Sequence, residues 1–223
     1  MRYAQVRSMD ISNGEGIGVS LFVQGCPFNP HCYNCFNTET WDFNGGKEWT
    51  QEVKERFLEL IDRPYIKRVS ILGGEPLADE NLDDVLDLVT EINKRYNFQK
   101  ADSENPCKMG VSEVKNSDEI RLSFPNKSIW IYSGFTWNTI WDDTLKKMIE
   151  NGIGGLSLSE ECENTLRLVE KRRKIISLCD VMIDGRYIDS QRNPSKKWAG
   201  SNNQSVIDIR KSLEQNKIIL YCD

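Results

Sequence analysis

Residues 24–37 read QGCPFNPHCYNCFN: three cysteines, Cys26, Cys32 and Cys35, within ten residues, entered from the apolar run Val19 to Val23. Cys32 and Cys35 stand two residues apart, a spacing that turns two thiolates toward one metal centre. The prolines and asparagines among them favour an irregular loop able to wrap an ion. A structural zinc takes four protein ligands. The fourth would have to be a distant cysteine or His31, the chain's one histidine, and His31 directly precedes Cys32, which makes joint ligation awkward. A cubane iron–sulfur cluster takes four cysteines; three leave one iron open to a substrate. Cluster, zinc and ordinary cysteines all remain open on spacing alone.

Residues 69–77, VSILGGEPL, read as a buried strand running into a Gly-Gly-Glu-Pro turn. With the cysteine loop, this segment resembles the radical S-adenosylmethionine (SAM) enzymes. There the three-cysteine loop follows the first barrel strand, and a GGEP-like segment follows the second. Asn13-Gly14-Glu15-Gly16-Ile17 resembles the glycine-rich lead-in of glycyl-radical-enzyme activases. Residues 35–46 (CFNTETWDFNGG), 129–137 (IWIYSGFTW), 181–189 (VMIDGRYID) and 198–209 (WAGSNNQSVIDI) resemble the activating proteins of anaerobic ribonucleoside-triphosphate reductase. Two features depart from that family. Five residues, Pro27 to His31, separate the first two cysteines where the family has three. Glu15 and Gly18 stand where it commonly carries Pro and Arg.

The resemblance implies an α/β fold, an incomplete (β/α)6 barrel in a single domain over residues 1–223. It implies a [4Fe–4S] cluster on Cys26, Cys32 and Cys35, with SAM on the fourth iron. It implies Asn34, Cys35, Phe36, Gly73, Gly74, Glu75, Ser133 and Gly134 beside SAM, with no catalytic side chain beyond the two cofactors. Phe36 would pack on the adenine or merely within its loop. Gly73 and Gly74 would let the backbone approach the SAM amine. Glu75 would accept from that amine or cap its own turn. Asp184 and Asn202 to Gln204 fall in matching segments without an assigned role. The activity implied is reductive SAM cleavage and formation of a glycyl radical on the large subunit of the anaerobic reductase, with flavodoxin or ferredoxin as electron donor. An activase of another glycyl-radical enzyme, or a non-catalytic zinc-binding interaction module, are the competing readings.

Composition is typical of a soluble globular protein: 39% hydrophobic and 28% charged residues in 223. A net charge of −5 with dispersed basic residues gives no electrostatic reason to expect nucleic acid. No apolar run approaches the ~20 residues of a membrane span, and MRYAQVRSMD lacks the apolar core of a signal peptide. Seven cysteines, an odd number, do not read as a secreted disulfide framework. A reducing cytoplasm fits best.

The remaining elements follow from periodicity. Residues 1–16 read as an irregular or short-strand lead-in, and Ile17 to Val23 as the first buried strand. Thr50 caps a helix over about 51–61. Lys67 to Leu72 is a strand. Asp79 caps a helix carrying Leu82, Val85, Leu86, Val89 and Ile92 on one face. Strand–helix–strand alternation implies parallel pairing. Residues 98–123 break the rhythm and read as an insertion, mostly loop. A strand at Ile129 to Tyr132, a helix over about 138–150 and a short strand near Leu156 and Leu158 follow. Cys162, Thr165, Leu166 and Val169 mark the next helix face, which ends in the basic run Lys171 to Lys174, read as solvated or as a docking patch. Val181 to Asp184, Ser205 to Ile209 and Ile218 to Tyr221 close the chain as strands. Cys162 and Cys179 read as small core residues, and Cys107 falls in the insertion.

Overall fold

A computed structural model describes residues 1–97, 126–144, 147 and 160–222. These residues form a mixed α/β fold around a sheet of seven described strands. Its strands are β1 (Arg2–Asp10), β2 (Gly18–Val23), β3 (Lys47–Glu48), β4 (Arg68–Gly73), β5 (Ser128–Tyr132), β6 (Val181–Asp184) and β7 (Ser205–Asp208), in the order β3-β1-β2-β4-β5-β6-β7. The central strands β2, β4, β5 and β6 are parallel, as the alternation predicts. The flanking pairs β1–β2, β1–β3 and β6–β7 are antiparallel.

Alternation along each strand separates two faces. Val19, Leu21, Val23, Val69, Ile71, Ile129, Ile131 and Met182 bury against the helices α1 (Gln51–Ile61), α2 (Leu82–Tyr96) and α4 (Glu160–Ser177). The opposite face carries Ser20, Phe22, Arg68, Ser70, Leu72, Trp130, Tyr132, Ile183 and Val206. Trp130, Val181, Ile183 and Val206 form a second apolar cluster there, joined by Tyr132 and Trp198. At the starts of the strands this inner face is closed by the loop after β1. Arg68, fully buried, donates to the carbonyls of Asp10 and Asn13 and pins that loop down. Among the described residues no helix is long and apolar enough to cross a membrane.

Several local expectations need correction. The N-terminal lead-in is a nine-residue strand, because pairing with β2 supplies the hydrogen bonds its polar sequence does not advertise. Thr50 does cap α1, accepting from Val53 N, but Asp79 does not cap α2. That helix starts at Leu82 behind Asn81, and Asp79 pairs instead with Arg172. On α4 the buried residues are Ile175 and Ile176 with Leu168 beside them, while Thr165 is exposed. A four-residue helix, α3 (Trp137–Ile140), and α5 (Ile209–Gln215) complete the described elements. Leu220 makes only an isolated bridge to Ile207, so the closing strand is not formed. The 98–123 insertion, Cys107, most of the 138–150 helix and the strand near Leu156 lie outside the described residues.

The basic run is neither free in solvent nor a patch. Lys171 bonds Asp83 of α2 at 2.6 Å. Arg172 donates to Leu77 O at 2.9 Å and pairs with Asp79. Arg173 donates to Ile140 O at 2.8 Å and pairs with Asp143. These side chains clamp α4 to the β4–α2 connection and to the end of α3.

Candidate functional site

The cysteine loop leaves β2 and returns to its own start. Gly25 N donates to Thr40 O at 2.8 Å and Cys26 N to Trp41 O at 3.0 Å. The Gln24 amide ties the base together, donating to the carbonyls of Glu39 and Asp42 at 2.9 and 2.8 Å. Inside it, Cys35 N donates to Cys32 O, and Asn37 N points at Cys35 Sγ, 3.4 Å away.

The extra length between Cys26 and Cys32 has a definite use. It carries Phe28 across the ends of β5 and β6, where its ring packs 5.2 Å from Phe135 and lies against Gly134. Arg186, just past β6, sits over the Phe28 ring at 5.1 Å and donates to Pro30 O. His31 stacks on Trp41 at 4.1 Å rather than joining the thiols.

Cys26, Cys32 and Cys35 open onto one pocket of about 140 Å³ at the C-terminal ends of the parallel strands. Across from them stand Gly73, Gly74 and Glu75 after β4, Ser133 and Gly134 after β5, and Arg186 and Tyr187 after β6. Six of the eight residues predicted beside SAM therefore line one cavity: Cys35, Gly73, Gly74, Glu75, Ser133 and Gly134. Asn34 and Phe36 do not. Asn34 is exposed and lines a second, more open cavity within the cysteine loop, together with Cys32 and Cys35. Phe36 is 64% exposed, with its ring 5.1 Å from Tyr187. A larger cavity, about 490 Å³, opens at the other end of the strands beside Lys67, Lys127 and Asp208. It holds no thiol and none of the predicted residues, so chemistry is assigned to the smaller pocket.

The two glycines serve the fold before any ligand. Gly73 adopts φ +113°, and a Cβ on Gly74 would fall 2.2 Å from Gly25 O and 2.8 Å from Thr40 O. The thiol loop and the β4 loop touch backbone to backbone there, and Glu75 N donates to Gly25 O at 2.7 Å. Glu75 itself is buried and fully engaged. Oε1 accepts from Leu77 N and Ser133 Oγ, and Oε2 from Gly134 N. Burial pushes its pKa up to about 7 against those donors. The carboxylate thus acts as a bridge between the β4 and β5 loops, a more extended part than turn capping.

Asp184 and Gln204 also acquire places. Asp184 accepts from Trp137 N and Ser205 N, fixing α3 and β7 to the end of β6. Gln204 reaches the pocket, donating to Gly185 O and accepting from Gly200 N. Phe28, Tyr132, Arg186 and Tyr187 line the cavity without having been singled out. The signal for Tyr132 was strand parity, which puts it on the inner face directly before Ser133.

The donor set suits a thiophilic group. Burial raises the Cys26 thiol pKa, and the Glu75 carboxylate and the other two cysteines add to it, so a thiolate there needs a bound cation. Among the described residues no three His, Cys, Asp or Glu side chains converge on a single-ion position. Three sulfurs spread around an open cavity fit a polynuclear iron–sulfur group better than a closed tetrahedral ion.

Comparison with known proteins agrees. The "4Fe-4S single cluster domain" family model matches residues 12–103 and 113–207. The anaerobic ribonucleoside-triphosphate reductase-activating protein of Escherichia coli (strain K12) is 27% identical over 212 residues, 94% of this chain and 100% of that protein. Proteins of the same name from Vibrio cholerae serotype O1 and Enterobacteria phage T4 are 26% and 25% identical, covering 92% of this chain and 97% and 93% of their own lengths. With the match spanning both the thiol loop and the strands that face it, the chain belongs to the 4Fe-4S single cluster domain family.

Proposed function

We propose that this protein is a radical SAM activase that generates a glycyl radical on anaerobic ribonucleoside-triphosphate reductase. The observation that carries the reading is the single pocket joining three thiols to Gly73–Glu75 and Ser133–Gly134. The names of relatives covering 92–94% of the chain support the partner. On this reading the sheet is the wall of an incomplete (β/α)6 barrel, whose chemistry gathers at the C-terminal strand ends.

Cys26, Cys32 and Cys35 would hold a [4Fe–4S] cluster, leaving one iron without a protein ligand. A cluster held there would supply, with an electron from flavodoxin or ferredoxin, the one-electron reduction needed to cleave SAM and remove a hydrogen atom from the partner's glycine. The chain's own residues position and shield. The backbones at Gly73–Gly74 and Ser133–Gly134 offer SAM close approach, and Glu75 holds those two loops at a fixed separation. Phe28 and Trp41 add aromatic surface to the cavity wall. A cytoplasm free of oxygen is the compartment this chemistry needs.

The test uses anaerobically purified protein. It should be brown and contain iron and sulfide. With reductant, SAM and the reductase it should yield 5′-deoxyadenosine and a doublet EPR signal on the reductase, collapsing when the reductase's glycines are deuterated. Zinc in a colourless protein, or 5′-deoxyadenosine with no radical on any glycyl-radical enzyme of the same cell, would refute the reading.

A further inference from the structure

His31 is the chain's one histidine and stands directly before Cys32. Its ring stacks on Trp41, with centroids 4.1 Å apart and planes 13° from parallel. The residue is half-buried, yet Nε2 is buried and has no hydrogen-bond partner. The Nε2 edge of the ring is therefore the edge turned into the loop. A buried polar atom without a partner is costly, and in native folds it marks a group still to be bound.

The surroundings of that edge narrow the choice of group. Cys32, Cys35 and Trp41 line both the thiol pocket and the more open cavity within the loop. His31 borders that second cavity, so its ring shares a space with two of the three thiols. The carbonyls of Asn37 to Asp42 each accept a hydrogen bond already. Those of Pro30 and Cys32 are taken as well. Sulfur is the acceptor that the shared cavity offers. One backbone N–H, from Asn37, already points at Cys35 Sγ.

We propose that His31 Nε2–H donates a hydrogen bond to a sulfur of the iron–sulfur group, on Cys32, Cys35 or a bridging sulfide, and makes that group easier to reduce. This rests on the ligand assignment above. Reduction adds negative charge to the sulfurs, so a donor aimed at one of them stabilises the reduced state more than the oxidised state. Residues 24–38 contain no Lys, Arg, Asp or Glu, so the loop has no charged side chain of its own to do this. The long Cys26–Cys32 spacing then has a second use besides delivering Phe28. It sets a neutral donor, held by its stack on Trp41, beside the second ligand.

A single histidine makes the test specific. Tag-free protein grown on 15N-histidine carries the label in this ring alone. After anaerobic reconstitution and reduction, pulsed EPR should show one weak 15N coupling, of the size carried by a hydrogen bond. His31→Phe keeps a ring against Trp41 and removes both nitrogens. Its iron and sulfide should equal wild type. In redox titrations without SAM, poised at the wild-type midpoint, its ratio of reduced to oxidised cluster should fall about threefold to tenfold, the usual worth of a hydrogen bond. His31→Gln returns an N–H donor and should recover part of that shift. Absence of the 15N coupling overturns the proposal, and a strong coupling overturns it by making His31 an iron ligand. An unmoved titration in iron-replete His31→Phe overturns it too. So does a shift seen only with SAM present, which assigns the nitrogen to SAM. Should His31→Phe fail to hold iron, the 15N measurement on wild type still decides. If wild-type protein assembles no iron–sulfur cluster, the ligand assignment falls and takes the proposal with it; a cluster without the coupling removes the His31 bond alone.

Discussion

Glu75 Oε2 accepts the backbone N–H of Gly134 at 2.7 Å, joining the loops after β4 and β5 across 59 positions of sequence. Both carboxylate oxygens face backbone donors, Leu77 N on one and Gly134 N on the other. In Glu75→Gln one of those donors must meet an amide nitrogen, at a cost of about 1–3 kcal/mol. Burial has raised the pKa from an ordinary 4.5 to about 7, so the folded chain holds this proton more tightly than the unfolded chain. That contribution is complete below pH 4.5 and lost as pH rises through 7, amounting to about 3 kcal/mol. Urea unfolding of the metal-free protein should therefore show the gap between wild type and variant narrowing from pH 5 to pH 8. A constant or widening gap would mean that Glu75 stays ionised throughout.

Cysteine replacements should sort by pocket. Cys26→Ala, Cys32→Ala and Cys35→Ala should each lose most of the iron and all SAM cleavage. Cys162→Ala and Cys222→Ala, half-buried and away from the pocket, should keep wild-type iron. Cys179 is buried with its thiol 3.2 Å from Ile175 O, so its replacement should lower stability and spare iron binding. Iron and sulfide analysis after anaerobic reconstitution decides the matter. A distant cysteine proving essential for iron would undo the ligand assignment.

Asn97 and Lys127 pin together the two ends of the segment between them. Asn97 Nδ2 donates to Lys127 O at 2.9 Å, and Lys127 N donates to Asn97 Oδ1 at 3.0 Å. Lys127 is anchored in turn by its ammonium on Ile66 O at 2.6 Å. Replacing 98–123 with a short Gly/Ser linker should preserve the melting temperature within a few degrees, since loop length carries little closure entropy, and should preserve uncoupled SAM cleavage. Asn97→Ala should cost about 1–3 kcal/mol by leaving buried backbone groups unmatched. A folded linker variant that no longer binds SAM would place the insertion over the site.

Members of the basic run should differ in weight. Arg172 combines a backbone hydrogen bond, a pairing with Asp79 and a stack 4.8 Å over Phe135, with its side chain only 15% exposed. Arg172→Ala should lower the melting temperature by about 4–8 °C in a domain of this size. Lys171 meets an Asp83 side chain that is 81% exposed, so Lys171→Ala should shift it by about 0–3 °C. Calorimetric melts compare the two. Equal shifts would mean that the run acts through net charge rather than through the Arg172 clamp.

Sequence alone determined what depends on near neighbours. The Cys32–Cys35 spacing, the apolar runs of β2, β4, β5 and β6, the Thr50 cap and the Gly-Gly-Glu-Pro turn are local patterns, and each lies where it was read. Strand parity also fixed which side chains share a face. Tertiary structure decided whatever rests on partners far along the chain. A polar nine-residue stretch became β1 because β2 offered it hydrogen bonds. Asp79 left its capping position for Arg172, 93 residues later. Glu75 spent its carboxylate on the next loop, the long cysteine spacing delivered Phe28 onto Gly134, and Phe36 stayed outside the cavity. The Tyr132 hydroxyl was legible only as an inner-face residue. That it is buried without a partner follows from how Arg68, Asp10 and the neighbouring strands fill the space around it, which no stretch of sequence specifies by itself.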